Sequence, residues 1–366
     1  MAQGFLQVPG VDYFDMFAPI AKLPSIQLVL AMADAEDLEL HLIDIKGAYL
    51  TGKLMGCEVI LMQQPPGSEN LVCQLQKTMY GLKQSGRCWY QKLVEIMLTH
   101  LGFSQCDVDQ AIFFRCEEWA LIVDTNIQLT TVQSPSTTAK IAQMHDIPYH
   151  KAVRLLMYAA LRTRPDIAFA VQTVSRFLTK PGPAHWEAVK RIFRYLKGSM
   201  ELWLSYRMAK MDLTEYTDAD GSMAEDRHAI SGYVFLIHSS AISWSAKQQE
   251  IIALSMTEAE YVTITHASKE ALWLHSLLFQ IFNFDLNSTT LFSDNKSAIE
   301  LMKDHQYHSR TKHIDIRFHF IQYIVEDGSI CLIYCPMDDM IADALTKALP
   351  SMKAKHFASQ FGLMAP

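Results

Sequence analysis

The sequence predicts a fold that combines the α+β and α/β classes, and three observations support this prediction. Short strand patterns and turns dominate residues 1–123, helical patterns dominate residues 149–211, and helices alternate with strands over residues 212–347. Such alternation is typical of helices packed on a sheet. We therefore predict three folded segments, joined by a linker at 124–148 and followed by a C-terminal tail at 348–366.

The composition is that of a globular protein. The 366 residues are 50% hydrophobic and 19% charged, with a formal net charge of −7. No apolar run approaches the roughly 18 residues that a membrane span needs, and the N-terminus lacks the features of a secretory signal. The seven cysteines form no CxxC pair, which predicts free thiols in an intracellular protein rather than a zinc site. These observations exclude membrane, collagen-like and secreted disulfide-rich classes.

The first segment is predicted to contain helices and short strands. Ser25 is a candidate N-cap for a helix over 25–37, because serine is favoured at that position. Residues 39–44 alternate between polar and apolar side chains as a strand does, and two more strands are expected within 55–78. An amphipathic helix is predicted over 89–101.

The middle of the chain is predicted to be helical and basic. The polar, aperiodic stretch at 124–148 is typical of a linker, and helices follow at 149–163, 165–179 and 184–197. Residues 150–200 carry 10 Lys/Arg against 2 Asp/Glu. Four of these cations share or adjoin one helix face, which suits contacts to phosphates, with a solvated surface helix as the alternative. They are Lys190, Arg191, Arg194 and Lys197.

The last segment alternates between strands and helices, and it carries 9 Lys/Arg against 20 Asp/Glu. Apolar alternation predicts the strands, and a period near 3.6 residues predicts the helices. The predicted strands are 213–217, 231–237, 241–245, 289–293 and 329–335. The predicted helices are 256–282, 295–303, 314–326 and 338–347.

Four acidic residues of this segment stand at informative places. Asp218 and Asp294 each end a strand, whereas Glu260 and Asp343 lie on helices. Ligands of open α/β sheets gather at the carboxyl ends of neighbouring strands. Carboxylates without His or Cys suit Mg²⁺ or Mn²⁺, and four of them could hold two ions about 3.5–4 Å apart. Solvated side chains and helix caps are the alternative on spacing alone.

The same segment contains a series of longer motifs in a fixed order. They are Tyr216-Thr-Asp-Ala-Asp-Gly, His228-Ala-Ile-Ser-Gly-Tyr-Val-Phe, Ile242-Ser-Trp-Ser-Ala-Lys-Gln-Gln, Leu254-Ser-Met-Thr-Glu-Ala-Glu-Tyr-Val, Glu270-Ala-Leu-Trp-Leu, Phe292-Ser-Asp-Asn-Lys-Ser-Ala, Thr311-Lys-His-Ile-Asp-Ile-Arg-Phe-His-Phe and Ile341-Ala-Asp-Ala-Leu-Thr-Lys. Together they resemble the ribonuclease H domain of copia-type long-terminal-repeat retrotransposon Pol polyproteins. The resemblance implies a mixed five-stranded sheet flanked by helices over 212–347.

The resemblance also implies a catalytic set and an activity. Its metal-binding residues would be Asp218, Glu260, Asp294 and Asp343, with two Mg²⁺ (or Mn²⁺) ions and endonucleolytic cleavage of RNA in RNA–DNA hybrids. Glu258 and Asp220 are the neighbouring alternatives to Glu260 and Asp218.

The helical segment 149–211 takes part in the resemblance. Tyr158-Ala-Ala-Leu-Arg-Thr-Arg-Pro-Asp-Ile-Ala and Val174-Ser-Arg-Phe are similar to the thumb and connection region of the same polyproteins. This similarity implies that the four cations of the basic helix face bind an RNA–DNA duplex.

The first segment resembles an incomplete reverse transcriptase, with fingers and palm. Three motifs carry this similarity: Phe14-Asp-Met-Phe-Ala-Pro, His41-Leu-Ile-Asp-Ile-Lys-Gly-Ala-Tyr-Leu-Thr-Gly and Met79-Tyr-Gly-Leu-Lys-Gln-Ser-Gly-Arg-Cys-Trp-Tyr. They imply that Asp44 is a polymerase metal ligand, Tyr49 the aromatic gate beneath the incoming sugar, and Gln84 part of the template-side loop.

The next motif of that family, an aromatic residue followed by X-Asp-Asp, is missing. After Phe113 the sequence reaches Asp124-Thr-Asn without an Asp-Asp pair. A polymerase that uses two metal ions needs about three carboxylates. We therefore interpret 124–148 as a deletion junction and predict that polymerase activity is lost.

The resemblance finally implies partners and a location. An RNA–DNA hybrid is the expected partner, with other Pol and Gag products, no membrane and no small-molecule cofactor; the expected location is the cytoplasm, in virus-like particles, or the nucleus. A non-catalytic transposon remnant that at most binds nucleic acid is the alternative. An integrase or transposase of related fold is disfavoured, because its usual set of three acids leaves Asp343 unexplained.

Overall fold

The structure is a computed structural model that describes most of the chain. The described residues are 2, 4–35, 38–54, 60–63, 72–114, 122–123, 147–179, 181–206, 213–220, 228–286, 288–303 and 315–365. The predicted linker at 124–148 lies outside them, except for its last two positions. No helix among these residues has both the length and the apolar character needed to cross a membrane.

The chain divides into two compact units. The first consists of Met1–Lys22 and Glu39–Leu129, and the second of Leu23–Leu38 and Thr130–Pro366. The second unit therefore contains the first helix, both predicted segments beyond the linker, and the predicted tail. The finer division into five segments stays a prediction.

Helix α1 (Leu23–Ala35) begins earlier than the sequence predicted. Ser25 is not its N-cap, because this residue lies inside the helix and is fully buried. Pro24 occupies the first turn instead, where its missing N–H needs no partner.

The first unit is built from short elements. Strands β1 (Leu61–Gln63) and β2 (Val72–Gln74) pair antiparallel, which confirms the two strands expected within 55–78. Helix α2 (Ser85–Glu95) continues as one π-helical turn over Ile96–His100. A second antiparallel sheet follows, formed by β3 (Ser104–Gln105), β4 (Ile112–Phe114) and β5 (Ile122–Val123).

The predicted strand at 39–44 is wrong. These residues form no regular secondary structure, and the side chain of Leu42 is 96% exposed. Alternating side chains make a strand only where a neighbouring strand takes up the backbone hydrogen bonds. Among the described residues, none pairs with this stretch.

The second unit contains the three helices predicted beyond the linker. Helix α3 (Tyr149–Arg162) is followed by a 3₁₀ turn, α4 (Ala168–Ser175) and α5 (Pro183–Gly198). Buried side chains of these helices form one hydrophobic cluster, with Val153 and Val189 at 0% exposure. The predicted helices are therefore confirmed.

The five-stranded sheet is the centre of the second unit. The short strand β6 (Trp203–Leu204) precedes it in the chain and belongs to another sheet. Across the five-stranded sheet, neighbouring strands are arranged in the order β11-β10-β7-β8-β9. Strands β7, β8 and β9 pair antiparallel, whereas β10 and β11 run parallel to β7. The predicted mixed five-stranded sheet is confirmed. Its strands are β7 (Leu213–Asp220), β8 (Ile230–Ile237), β9 (Ser240–Gln248), β10 (Thr289–Ser293) and β11 (Ile330–Tyr334).

Local sequence explains this strand order. His238 and Ser239 both adopt positive φ, of 53° and 66°, which is the geometry of a tight hairpin between β8 and β9. Parallel strands need a crossover, and helix α6 (Met256–Phe282) supplies it between β9 and β10. The remaining helices are α7 (Lys296–Lys303), α8 (Asp315–Glu326), α9 (Asp343–Thr346) and α10 (Ser351–Gln360).

The last two elements differ from the prediction. The helix predicted over 338–347 is reduced to α9, and Met340, Ile341 and Ala342 before it are buried without helical structure. The predicted tail contains α10 and the strand β12 (Leu363–Met364), which pairs antiparallel with β6.

A buried acid lies in the middle of this sheet. Glu215 of β7 is 0% exposed, and neither of its carboxylate oxygens has a hydrogen-bond partner among the described residues. Burial raises the pKa of Glu215 well above its usual range, and the negative charge of Glu270 raises it further. This carboxyl is therefore a source of instability that depends on pH.

We expect Glu215→Gln to raise the free energy of unfolding at about pH 8 by about 1.4 kcal/mol or more, because the amide cannot ionise and each pKa unit between the folded and unfolded protein corresponds to about 1.4 kcal/mol. Because the folded-state pKa is raised, the folded protein binds more protons than the unfolded chain and loses stability as the pH rises between the two pKa values. The gain should therefore grow from about pH 5 to about pH 8 in urea unfolding curves.

The matched control is Glu250→Gln, which removes an exposed carboxylate paired with Lys247. This control should leave the unfolding midpoint unchanged. A gain from Glu215→Gln that stays constant over the pH range would contradict the explanation.

Candidate functional site

Three of the four predicted acids meet at one edge of the sheet. Asp218, Glu260 and Asp294 each offer a carboxylate oxygen, and these oxygens all lie within 4.8 Å of one another. Strands β7 and β10 are parallel neighbours in a register that pairs Thr217 with Ser293. The residues that follow, Asp218 and Asp294, therefore lie at the same edge of the sheet. Glu260 reaches this edge from the first turns of α6.

Asp218 and Glu260 are buried, and Asp294 is half-buried. Burial raises the pKa of Asp218 to about 6, against the opposite effect of the Lys347 ammonium. Burial also raises the pKa of Glu260 well above its usual range, and the charges of Asp218 and Asp294 add to this effect. The pKa of Asp294 is also raised, again mainly by burial. Each group is therefore held in an environment that disfavours its charge.

This donor set fits a divalent cation. The backbone N–H of Ala219 donates to Oε1 of Glu260 at 3.1 Å, whereas Oε2 is buried without a hydrogen-bond partner among the described residues. A cation beside three carboxylates would offset their repulsion and satisfy that oxygen. Hard oxygen ligands of this kind suit Mg²⁺ or Mn²⁺.

The two alternative acids have other surroundings. Oε2 of Glu258 accepts a hydrogen bond from the backbone N–H of Leu254 at 2.7 Å, and the N–H of Glu258 donates to Oγ of Ser255 at 3.1 Å. These reciprocal bonds cap the start of α6, so Glu258 is a capping residue. Asp220, at the end of β7, is not one of the three acids whose oxygens meet.

Asp343 adjoins this cluster through two lysines. Nζ of Lys347 lies 2.7 Å from Oδ1 of Asp343, and Nζ of Lys353 lies 3.1 Å from Oδ2. Lys347 also lies 3.7 Å from Oδ2 of Asp218, which accepts a hydrogen bond from the hydroxyl of Thr346. Each oxygen of Asp343 thus has an ammonium group within ion-pair distance, and the role of Asp343 as a metal ligand stays a prediction.

Neither lysine is among the site residues predicted from the sequence. A signal for Lys347 was present, since this residue follows Asp343 by four positions, the spacing of neighbours on one helix face. Lys353 lies on the following helix, and nothing local in the sequence connects it to Asp343.

The basic face of α5 is partly neutralised. Glu187 forms ion pairs with both Lys190 and Arg194. Arg191 and Lys197 are exposed and have no ion pair among the described residues. Two of the four predicted phosphate-binding cations thus keep their charge unpaired, and the binding role of the set stays a prediction.

The predicted polymerase residues do not form a comparable cluster. Asp44 is exposed, and no group of three metal-ligating side chains among the described residues includes it. The rings of Tyr49 and Tyr80 pack edge to face with centroids 5.2 Å apart. Gln84 is fully buried; its Nε2 donates to the carbonyl of Asp12 at 3.0 Å. The amide of Gln84 therefore holds the first unit together from inside.

Comparison with known proteins agrees with the motifs. The family model of reverse transcriptase (RNA-dependent DNA polymerase) matches residues 1–144. The Pol polyprotein from transposon TNT 1-94 of Nicotiana tabacum is 33% identical over 440 residues, which cover 96% of this chain and 33% of that polyprotein. The Pol polyprotein from transposon RE1 of Arabidopsis thaliana is 29% identical over 443 residues, which cover 99% and 30%. The chain is a homologue of copia-type Pol polyproteins.

The predicted resemblance is thereby confirmed, and this homologue of the Pol polyproteins spans about a third of the length of the curated relatives it matches. Among solved structures, LC11-RNase H1, isolated from compost, is similar to the chain at 16% sequence identity and a TM-score of 0.30. The similarity covers 37% of this chain and 94% of that protein.

We expect Glu260→Gln to raise the melting temperature in EDTA, because it removes a charge from a buried, mutually repelling set. The same substitution should abolish the additional rise that Mg²⁺ gives the wild-type protein, since a ligand that binds only the folded state stabilises it by about 2.7 kcal/mol at a hundred times its dissociation constant. Differential scanning calorimetry with and without Mg²⁺ measures both effects.

Asp220→Asn is the matched control, because it removes a carboxylate of the same edge that lies outside the cluster. The control should keep the response to Mg²⁺. An equal response in Glu260→Gln would show that the cation binds elsewhere.

Proposed function

We propose that the second unit cleaves the RNA strand of RNA–DNA hybrids as a ribonuclease H that depends on Mg²⁺ or Mn²⁺. The observation that supports this proposal is the convergence of Asp218, Glu260 and Asp294, with oxygens within 4.8 Å of one another. They meet at the carboxyl ends of two neighbouring parallel strands, where α/β sheets place their ligands.

The chain's own residues have distinct tasks in this reaction. Asp218 and Asp294 offer ligand oxygens from rigid strands, and Glu260 completes the set from α6. Divalent ions, when bound, lower the pKa of an attacking water and stabilise the charge that develops on the phosphate. Because the carboxyl pKa values are raised, protons compete with the cation, and its binding should weaken as the pH falls.

The helical part of the second unit would hold the nucleic acid. Arg191 and Lys197 on α5 present unpaired charge, and the pairs of Lys190 and Arg194 with Glu187 can open when a phosphate competes. We propose the RNA–DNA hybrid as the partner of this face. Assembly with other Pol and Gag products, and a location in cytoplasmic virus-like particles or the nucleus, remain proposals from the resemblance.

The loss of polymerase activity is part of the same proposal. Three observations support it: the missing Asp-Asp pair after Phe113, the exposed position of Asp44, and an alignment with the TNT 1-94 polyprotein that extends over 440 residues. Because that alignment is longer than the 366-residue chain, the relative contains positions without a counterpart in this protein.

We expect the full chain to cleave the RNA of a hybrid in the presence of Mg²⁺, and Asp294→Asn to lower the rate by about a hundredfold or more. A lost metal ligand removes several kcal/mol of transition-state stabilisation, and about 1.4 kcal/mol corresponds to a factor of ten. Gel analysis of a hybrid labelled on its RNA strand measures the rate.

Asp220→Asn should keep the wild-type rate, because this residue is outside the cluster. A folded wild-type protein without cleavage would overturn the proposal and favour the non-catalytic remnant.

We expect no primer extension on an RNA template with Mg²⁺ and all four deoxynucleotides, because one polymerase carboxylate cannot replace about three. A full-length reverse transcriptase in the same assay is the positive control. Extension by the chain that disappears in Asp44→Asn would show that polymerase activity survives.

A further inference from the structure

We propose that Lys347 occupies the position of a second divalent cation, so that without nucleic acid the protein binds one ion tightly and a second only after this lysine moves away. The inference rests on the proposed function, since it takes the carboxylate cluster to be the metal site. It concerns the number of ions and the residue that controls it.

The position of the ammonium group carries the inference. Nζ of Lys347 lies between two buried acids, 2.7 Å from Oδ1 of Asp343 and 3.7 Å from Oδ2 of Asp218. The side chains of both acids are only 3% exposed, so the oxygens that a second ion would use face the lysine rather than water. Lys353, at 3.1 Å, takes the other oxygen of Asp343.

The two halves of the site therefore differ. Asp218, Glu260 and Asp294 form a group whose oxygens meet, and Oε2 of Glu260 has no hydrogen-bond partner among the described residues. Each oxygen of Asp343 has an ammonium group within ion-pair distance, although its Oδ1, like Oε2 of Glu260, makes no hydrogen bond among the described residues. In the first group Lys347 approaches Asp218 at the longer distance of 3.7 Å. The positive charge is therefore closest to Asp343.

Charge balance leads to the same asymmetry. With all four carboxylates ionised and both lysines protonated, one divalent ion brings the formal charge of the site to zero. A second divalent ion would enter beside Lys347 and be repelled, and at distances near 4 Å inside a protein this repulsion is large. Displacement of Lys347 would remove its repulsion of the second ion and would at the same time free Oδ1 of Asp343.

The surroundings give Lys347 room to move. Its side chain is 31% exposed, and it lines a cavity of about 530 Å³ together with Arg191 and Tyr195. The lysine can thus leave the acids without disturbing the packed core. A phosphate of bound nucleic acid would attract the displaced ammonium and offset the loss of its carboxylate contacts.

Titration of the full chain with Mn²⁺ tests the inference. Isothermal titration calorimetry gives affinities, and electron paramagnetic resonance of free Mn²⁺ counts the bound ions. We expect one tightly bound ion in the wild-type protein. Lys347→Met, which keeps length and removes charge, should bind a second ion about tenfold or more tightly than the wild type does. Lys347→Arg keeps the charge and should behave as the wild type.

Lys247→Met is the matched control, because it removes an exposed lysine of β9 that is paired with Glu250. This variant should bind one ion, as the wild type does. Two equally tight ions in the wild-type protein, or unchanged Mn²⁺ binding in folded Lys347→Met, would overturn the inference. The hybrid-cleavage assay separates the two proposals: cleavage together with either result leaves the nuclease assignment intact. Absence of any ion that depends on Glu260 would defeat both.

Discussion

The repulsion among three carboxylates, two of them buried and one half-buried, is the constraint on which the site depends. Their oxygens lie within 4.8 Å of one another, where two ionised groups repel by about 3–4 kcal/mol at an effective dielectric constant of about 20. The parallel pairing of β7 with β10 and the capped start of α6 hold them there. Burial raises their pKa values first, with a smaller effect of neighbouring carboxylates, and a bound cation would offset the repulsion. The raised pKa values and the fit to a cation therefore both follow from the placement of these three carboxylates.

Glu215 shows why burial alone does not identify a functional acid. It shares strand β7 with Asp218, it is equally buried, and its pKa is also raised well above the usual range. Glu215 lies in the middle of the strand, however, whereas Asp218 lies near the end at which a second strand delivers Asp294. Convergence of several acids at an accessible edge distinguishes a candidate site from an isolated buried carboxyl.

The two units differ in how the fold holds the residues of their motifs. In the second unit, motif residues lie on long strands and a 27-residue helix, which fix their relative positions. In the first unit, Asp44 lies on an exposed stretch without regular structure, although its motif is equally recognisable. A motif forms a candidate site only where the surrounding fold positions its side chains, and this difference supports the proposal that places nuclease activity in the second unit.

The sequence by itself determined the elements with strong periodicity and the resemblance to Pol polyproteins. Helix 256–282 and strand 289–293 were predicted at their observed bounds, because period and capping residues are local properties. It also singled out Asp218, Glu260 and Asp294 as candidates. Only the tertiary structure decided that 39–44 pairs with no described strand. It alone brought Lys353 to Asp343. These outcomes depend on contacts between residues distant in the chain, which local patterns do not encode.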